Sequence, residues 1–344
     1  MPEPLLEVRG LAMHFPIRRD LGRRLHRQPR AILRAVDGVD LDVREGEMVG
    51  LVGESGCGKS TLGRCIVGLY VPTVGEVRYG RAALPAKRDS ATRRQMQMIF
   101  QDPYSSLNPR MTVRQTLREL LRVHHVVPEA SVDARCRELL DLVGLSPRSL
   151  EAYPRQFSGG QRQRVSIARA LALEPKLLVA DEPVSALDVS VQATVLNLLE
   201  ELRQKLGLSI LLIAHNMAIV RHVCDRVAVM YLGRIVETAS TASLFSDPRH
   251  PYTQGLLRAV PRLVPGRVST AVAVVGDPPS PIELPTGCRF HPRCPIAQQP
   301  LCHTDDPELT AGSGVPDHLA ACHYAWTEAP PSHVPEVELD AESA

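Results

Sequence analysis

Lysine is scarce in this chain: of forty basic residues, only Lys59, Lys87, Lys176 and Lys205 are lysine. Long apolar runs are missing too. The longest aliphatic stretches, such as 208–214, fall far short of the roughly twenty residues that cross a bilayer. Charge of one sign is also lacking, because the net value is +2, so nothing global points to nucleic acid or lipid as a partner. The first ten residues alternate charged and apolar side chains, which argues against a signal peptide. A cytosolic chain is expected unless a partner carries it to a membrane. Close C-x2-C pairs are absent, and no Lys or Arg follows Arg293.

Against this background one stretch stands out. Met48 to Val52 is a short apolar run that ends in Gly53-Glu54-Ser55-Gly56-Cys57-Gly58-Lys59-Ser60-Thr61, and a helical pattern follows. This is G-x-x-x-x-G-K-S in its required context of strand, glycine-rich turn and helix. The glycines let successive backbone N–H groups close around a di- or triphosphate, Lys59 reaches the outer phosphates, and the Ser60 hydroxyl completes the shell of a Mg²⁺ ion. A chain that uses arginine almost everywhere has kept lysine where a compact point charge is needed.

Alternation predicts strands at 5–15, 35–43, 48–52, 75–79, 95–101, 176–180 and 209–214, and a hairpin at 226–231 and 234–238. Helical periodicity predicts 112–125, 131–145 and 190–206, with a further helix capped by Ser158 and running to 173. The alternation of strand and helix implies a mostly parallel sheet covered on both faces. Gly53, Gln101, Asp181 and His215 all fall at predicted strand ends, where such sheets bind ligands. Asp181 is suited to hold Mg²⁺ through water, and Glu182 to polarise the attacking water. Gln101 offers an amide to metal and water, and His215 can bond the γ-phosphate and hold Glu182 in place. Phe15 closes the first strand, where a ring could stack on adenine, although spacing alone suits a core phenylalanine. The arginine-rich segment 18–30 reads as a solvated loop.

At this point the chain resembles the ATP-binding cassette family over roughly residues 5–260. The matching motifs are GESGCGKST (53–61), Gln101, FSGGQ (157–161), LLVADE (177–182), SALD (185–188) and His215. The resemblance implies a P-loop NTPase (RecA-like) α/β core with an antiparallel β subdomain and a helical subdomain. It also implies ATP and Mg²⁺ as ligands and Phe15 stacked on adenine. A single phosphate loop leaves the outer face of the nucleotide open, so the family's dimer is expected to place Ser158, Gly159, Gly160 and Gln161 of one subunit against the other subunit's ATP. Asp188 is expected at that junction.

Longer stretches are similar to the ATPase subunits of dipeptide and oligopeptide importers: FQDPYSSLNPR (100–110), HPYTQGLLRAVP (250–261) and GDPPSPIELPTGCRFHPRCP (276–295). This implies a second, unlike ATPase as heterodimer partner, two transmembrane permeases and an extracytoplasmic substrate-binding protein, with the chain on the cytoplasmic face of the inner membrane. Nickel and glutathione importers share these sequences. A soluble cassette ATPase would need a coiled-coil insertion or a second cassette, and neither is present. A sensor that does not hydrolyse would not need Glu182.

Three units are expected: a cassette at 1–260 with a helical insert at about 102–172, an irregular Cys-rich extension at 261–326, and a disordered acidic tail at 327–344. Cys288, Cys294, Cys302 and Cys322 are spaced C-x5-C-x7-C-x19-C. Zinc prefers closer pairs, and disulfides do not suit the cytosol. The subfamily resemblance points to a 4Fe-4S cluster, ahead of zinc and of free thiols. Because the cysteines are remote in sequence from the phosphate loop, a structural or redox-sensing role apart from hydrolysis is expected.

Overall fold

A computed structural model of the chain describes residues 3–17, 30–102, 106–259 and 276–327. The basic segment apart from Arg30, residues 103–105, the start of the extension at 260–275 and the tail beyond Thr327 lie outside the described residues.

Two long strands, β1 (Pro4–Pro16) and β2 (Ile32–Arg44), pair antiparallel. β3 (Met48–Val52) enters the main sheet and leads through the phosphate loop into helix α1 (Lys59–Ile66). β4 (Val74–Tyr79) and β5 (Ala82–Ala83) return to the first layer, giving a four-stranded antiparallel sheet of order β2-β1-β4-β5. Helix α2 (Ser90–Gln95) precedes β6 (Met96–Ile99), and the helical insert follows with α3 (Val113–Val123), α4 (Val132–Leu142) and α5 (Gly159–Leu171). β7 (Leu177–Asp181), α6 (Val189–Leu206) and β8 (Ser209–Ala214) come next. Helix α7 (Met217–Val223) leads to the hairpin of β9 (Arg226–Tyr231) and β10 (Arg234–Ser240), then to α8 (Thr241–Ser246) and α9 (Pro251–Arg258). The extension supplies α10 (Leu301–Thr304), β11 (Thr310–Gly312) and β12 (Val315–Ala320).

The main sheet has the order β11-β12-β10-β9-β3-β8-β7-β6, and the run from β9 to β6 is parallel. β3, β7 and β8 are buried at every position, which is why they read as continuous apolar runs with no polar face. Their side chains alternate between two cores. Met48, Val52, Leu178 and Ala180 face the core closed by the insert helices, α6 and α7. Val49, Leu51, Leu177 and Val179 face the core closed by α1 and the antiparallel sheet. Both α3 and α5 begin with a capping box, Thr112 with Gln115 and Ser158 with Gln161, which fixes where each helix starts.

Several elements were not evident from periodicity. The helices α2, α7, α8 and α9 are six to eight residues long, too short for an apolar stripe to declare itself. The extension is less irregular than expected, because β12 pairs antiparallel with β10 and extends the cassette's own sheet. The join is polar at its centre. Glu237 of β10, fully buried, accepts the N–H groups of Arg249 at 2.7 Å and His250 at 3.0 Å, and its carboxylate lies 2.7 Å from His318 Nε2 of β12. His250 is itself buried and accepts the Tyr252 N–H at 3.0 Å. Burial pulls its pKa down to about 4, so it stays neutral near pH 7.

Candidate functional site

The parallel order sets the carboxyl ends of β3, β7 and β8 side by side, so Gly53, Asp181 and His215 leave the sheet on one rim, with Gln101 two residues past β6. The phosphate loop keeps its shape because two glycines sit where no side chain fits. A Cβ on Gly53 would lie 2.1 Å from the Met230 carbonyl oxygen, and one on Gly58 would lie 2.0 Å from that of Ala35, both at positive φ. Phe15, Ser55, Gly56, Gly58, Lys59, Ser60, Thr61, Gln101 and Glu182 line one cavity of about 280 Å³ over the loop. Phe15 is half-buried there, edge-on to Tyr70 with ring centroids 5.7 Å apart.

Within this cavity the Lys59 ammonium donates to the carbonyls of Gly53 at 2.7 Å and Glu54 at 2.9 Å. Ser60 Oγ donates to Asp181 Oδ1 at 2.7 Å. Asp181 is only 1% exposed, and its other oxygen, Oδ2, has no hydrogen-bond partner. Burial accordingly pushes the Asp181 pKa up. A buried, partnerless carboxylate oxygen is costly. Beside a serine hydroxyl it has the hard-oxygen donor chemistry that Mg²⁺ takes with part of its water shell.

Glu182 follows at φ 44°, a conformation rare outside glycine, with its N–H donating to the Ile213 carbonyl at 3.0 Å. Its Oε2 receives Gln101 Nε2 at 3.1 Å and lies 3.3 Å from His215 Nδ1. The strained turn therefore holds a carboxylate over the cavity between an amide and an imidazole.

Three residues of the loop do not face the cavity. Gly53 packs against β9, Cys57 is buried beneath the loop with its pKa raised by that burial, and the Glu54 carboxylate turns away to Arg293. Ser158, Gly159, Gly160, Gln161 and Asp188 do not line the cavity either. Ser158 and Asp188 are exposed, and Val189 beside Asp188 is 82% exposed. A Cβ on Gly160 would come 2.5 Å from Val191 Cγ1 and force a shift, whereas one on Gly159 would meet only the tip of Leu187, at 3.1 Å.

The sequence did not reveal what holds the loop from behind. Tyr252 of α9 accepts the Glu54 N–H at 2.8 Å, and Arg293 forms an ion pair with the Glu54 carboxylate at 2.8 Å. The available signals were a tyrosine inside HPYTQG and the last basic residue of the chain.

Cys288, Cys294, Cys302 and Cys322 line one narrow pocket with His250 and Phe290, with about 10 Å³ of free space, barely enough for a water. All four are free thiols. Burial pushes Cys288 up to about 11 and Cys294 up to about 12, and neighbouring sulfurs add to both shifts. Among the described residues, however, no group of three or more His, Cys, Asp or Glu is spaced to hold a metal ion. The donor set fits a thiolate-bound group, while its present spacing and room do not.

A phosphate loop after β3, with an acidic pair closing β7, defines a nucleoside-triphosphate-hydrolysing protein of the P-loop class. Residues 36–185 match the ABC transporter family model, and residues 236–302 match the model of the oligopeptide/dipeptide transporter C-terminal region. The chain is 49% identical over 311 residues to the oligopeptide transport ATP-binding protein OppF of Escherichia coli (strain K12), covering 89% of this chain and 92% of that protein. It is 47% identical over 322 residues to a putative peptide import ATP-binding protein of Brucella ovis, covering 93% and 97%. Among solved structures, CbiO1 from Clostridium perfringens, part of the ABC transporter complex CbiONQ, aligns with a TM-score of 0.60 at 26% identity, covering 71% of this chain and 92% of that one. A dimeric ATP-binding cassette in a post-hydrolysis state with ADP and Pi aligns with a TM-score of 0.59 at 27% identity, covering 69% and 98%. The chain belongs to the ABC transporter family and is an ATPase of that family. No helix among the described residues is long and apolar enough to cross a membrane.

Proposed function

We propose that this chain is the ATP-hydrolysing subunit of an importer for di- and oligopeptides, acting on the cytoplasmic side of a membrane as one half of a two-cassette assembly. The observation that carries the ATPase centre is the partnerless buried oxygen of Asp181 beside the Ser60 hydroxyl, with Glu182 on the next residue. Phe15 stacks on the adenine, and the cavity-lining loop residues Ser55, Gly56, Gly58, Ser60 and Thr61 hold the phosphates with Lys59, while Gly53, Glu54 and Cys57 shape the loop from behind. Ser60, Gln101 and Asp181 hold Mg²⁺, which when bound neutralises charge on the terminal phosphates. Glu182 takes a proton from the attacking water, and Gln101 and His215 keep its carboxylate aimed. Peptide as the cargo is supported by the names of the relatives and by the match to the oligopeptide/dipeptide C-terminal region.

The partners in this reading are a second, unlike cassette, two transmembrane permeases and an extracytoplasmic binding protein. Exposed Ser158, with Gly159, Gly160, Gln161 and Asp188, completes the nucleotide site of the partner cassette, because none of the five lines the cavity among the described residues of this chain. The cassette spans 1–260 in this reading, and the described part of the extension, 276–326, packs on it. Glu182→Gln removes the proton acceptor while leaving the shape. It is expected to retain ATP binding and lose at least ~10²-fold in hydrolysis, the usual weight of a general base. Turnover at the unmodified rate would remove Glu182 from the mechanism.

The four late cysteines are the proposed ligands of a 4Fe-4S cluster, with zinc second. The convergence of four thiols on one pocket supports the reading, and the small room there and the lack of a metal-spaced group among the described residues weigh against it. Iron and labile sulfide in anaerobically prepared protein, lost in Cys294→Ser, would support the cluster. Zinc alone would select the second reading, and neither metal would leave four reduced thiols.

A further inference from the structure

Glu54, the second residue of the phosphate loop, is gripped at three points. Its N–H donates to the Tyr252 hydroxyl at 2.8 Å, and its carbonyl accepts the Lys59 ammonium at 2.9 Å. Its carboxylate meets Arg293 through Nη1–Oε2 and Nη2–Oε1, both at 2.8 Å. This two-pronged geometry is the strongest and most directional that an arginine and a carboxylate can form. The Arg293 side chain is only 5% exposed, its guanidinium lies 5.8 Å from the Tyr231 ring centroid, and Nη1 is 3.4 Å from the Tyr231 hydroxyl. Tyr231 in turn packs with Tyr252 and Phe290, the three ring centroids lying 4.7 to 5.5 Å apart. Arg293 also ends the short turn His291–Arg293 that runs straight into Cys294. The extension therefore does not stand apart from the nucleotide site, as sequence distance had implied. It supplies the counter-charge to a carboxylate inside the loop.

That carboxylate needs a counter-charge. Four negative charges on ATP would share one short loop with Glu54, and a bare carboxylate there repels them. Glu54 is also tied through its own peptide to Lys59, so movement of its side chain is carried to the ammonium that meets the phosphates. We propose that Arg293 is a positioning residue for nucleotide binding: it neutralises Glu54 and fixes its peptide, so that the loop presents Lys59 without a competing anion. The proposal rests on the ATP-site reading above and needs no metal in the cysteine pocket.

The test is ATP affinity of the full chain, measured by fluorescent-nucleotide titration at low and high salt, with a thermal melt of every variant. Arg293→Met is expected to weaken binding about tenfold, a loss of ~1.4 kcal/mol, and the loss should shrink as salt screens the exposed carboxylate. The double variant Arg293→Met with Glu54→Gln is expected to recover to within about threefold of the unmodified chain, because the charge to be neutralised is gone. A double variant as weak as Arg293→Met, or a loss indifferent to salt, would mean that Arg293 is only a structural staple. If the methionine variant does not fold, Arg293→Gln keeps a hydrogen-bonding amide without the charge, and the same comparison is made with it. Lys59→Ala separates the two layers of argument. Normal ATP binding in Lys59→Ala would sink the ATP-site reading itself. Loss of binding there, with unmodified affinity in Arg293→Met, would sink the positioning role alone.

Discussion

Two surfaces of this cassette are proposed to meet ATP, and they differ in how complete they are. At the phosphate loop nearly every group has a partner inside the subunit: Lys59 on two carbonyls, Ser60 on Asp181, Gln101 and His215 on Glu182, and Glu54 on Tyr252 and Arg293. At the start of α5 the local structure is just as firmly set, with a reciprocal Ser158–Gln161 cap and two glycines wedged against Leu187 and Val191. Yet Ser158 there faces outward, next to the exposed Asp188 and Val189. The first surface is a receptor. The second is a finished contribution that no described residue of its own chain receives.

The sharpest way to break this contrast is to damage each surface and ask whose nucleotide suffers. Lys59→Ala and Ser158→Arg should each abolish most hydrolysis in the assembled transporter, on the order of 10²-fold or more if transition-state contacts are lost. Only Lys59→Ala should remove ATP binding by the isolated chain. If Ser158→Arg also abolishes binding in the isolated chain, or leaves the assembly fully active, the two surfaces do not play separate roles. A smaller effect tests how the receptor is braced. Tyr252→Phe deletes the acceptor of the Glu54 N–H and leaves that donor partly buried, at a cost of about 1–3 kcal/mol in stability. The melting point should fall, and ATP affinity should weaken by less than in Arg293→Met. An unchanged melt would show that water replaces the hydroxyl at no cost.

The receptor was largely legible in the sequence because its parts are local motifs at the ends of apolar runs. Gly53 to Thr61, Asp181 with Glu182, and His215 each announce themselves within a few residues, and parallel strand order does the rest. Phe15 was ambiguous from spacing, and the structure sets it in the cavity wall. What the sequence could not offer was long-range partnership. Glu54 meets Tyr252 across 198 positions and Arg293 across 239, and no periodicity or motif spacing encodes such a contact. The same limit hid the extension's strands, since TAG and VPDHLA carry neither an apolar run nor clean alternation. β12 owes its strand state to pairing with β10, and β11 to pairing with β12, not to propensity.

That imposed pairing bears on how the molecule avoids its own copies. Without β12, the backbone of Val236 to Thr238 would present open hydrogen-bonding groups along a strand that carries Ile235 and Val236, a template for another chain to add to. β12 takes those positions and is itself covered by β11, so the sheet ends on Thr310–Gly312, a three-residue strand too short to be a good template. The cysteine-bearing extension thus also serves as a cover strip that keeps the sheet from growing.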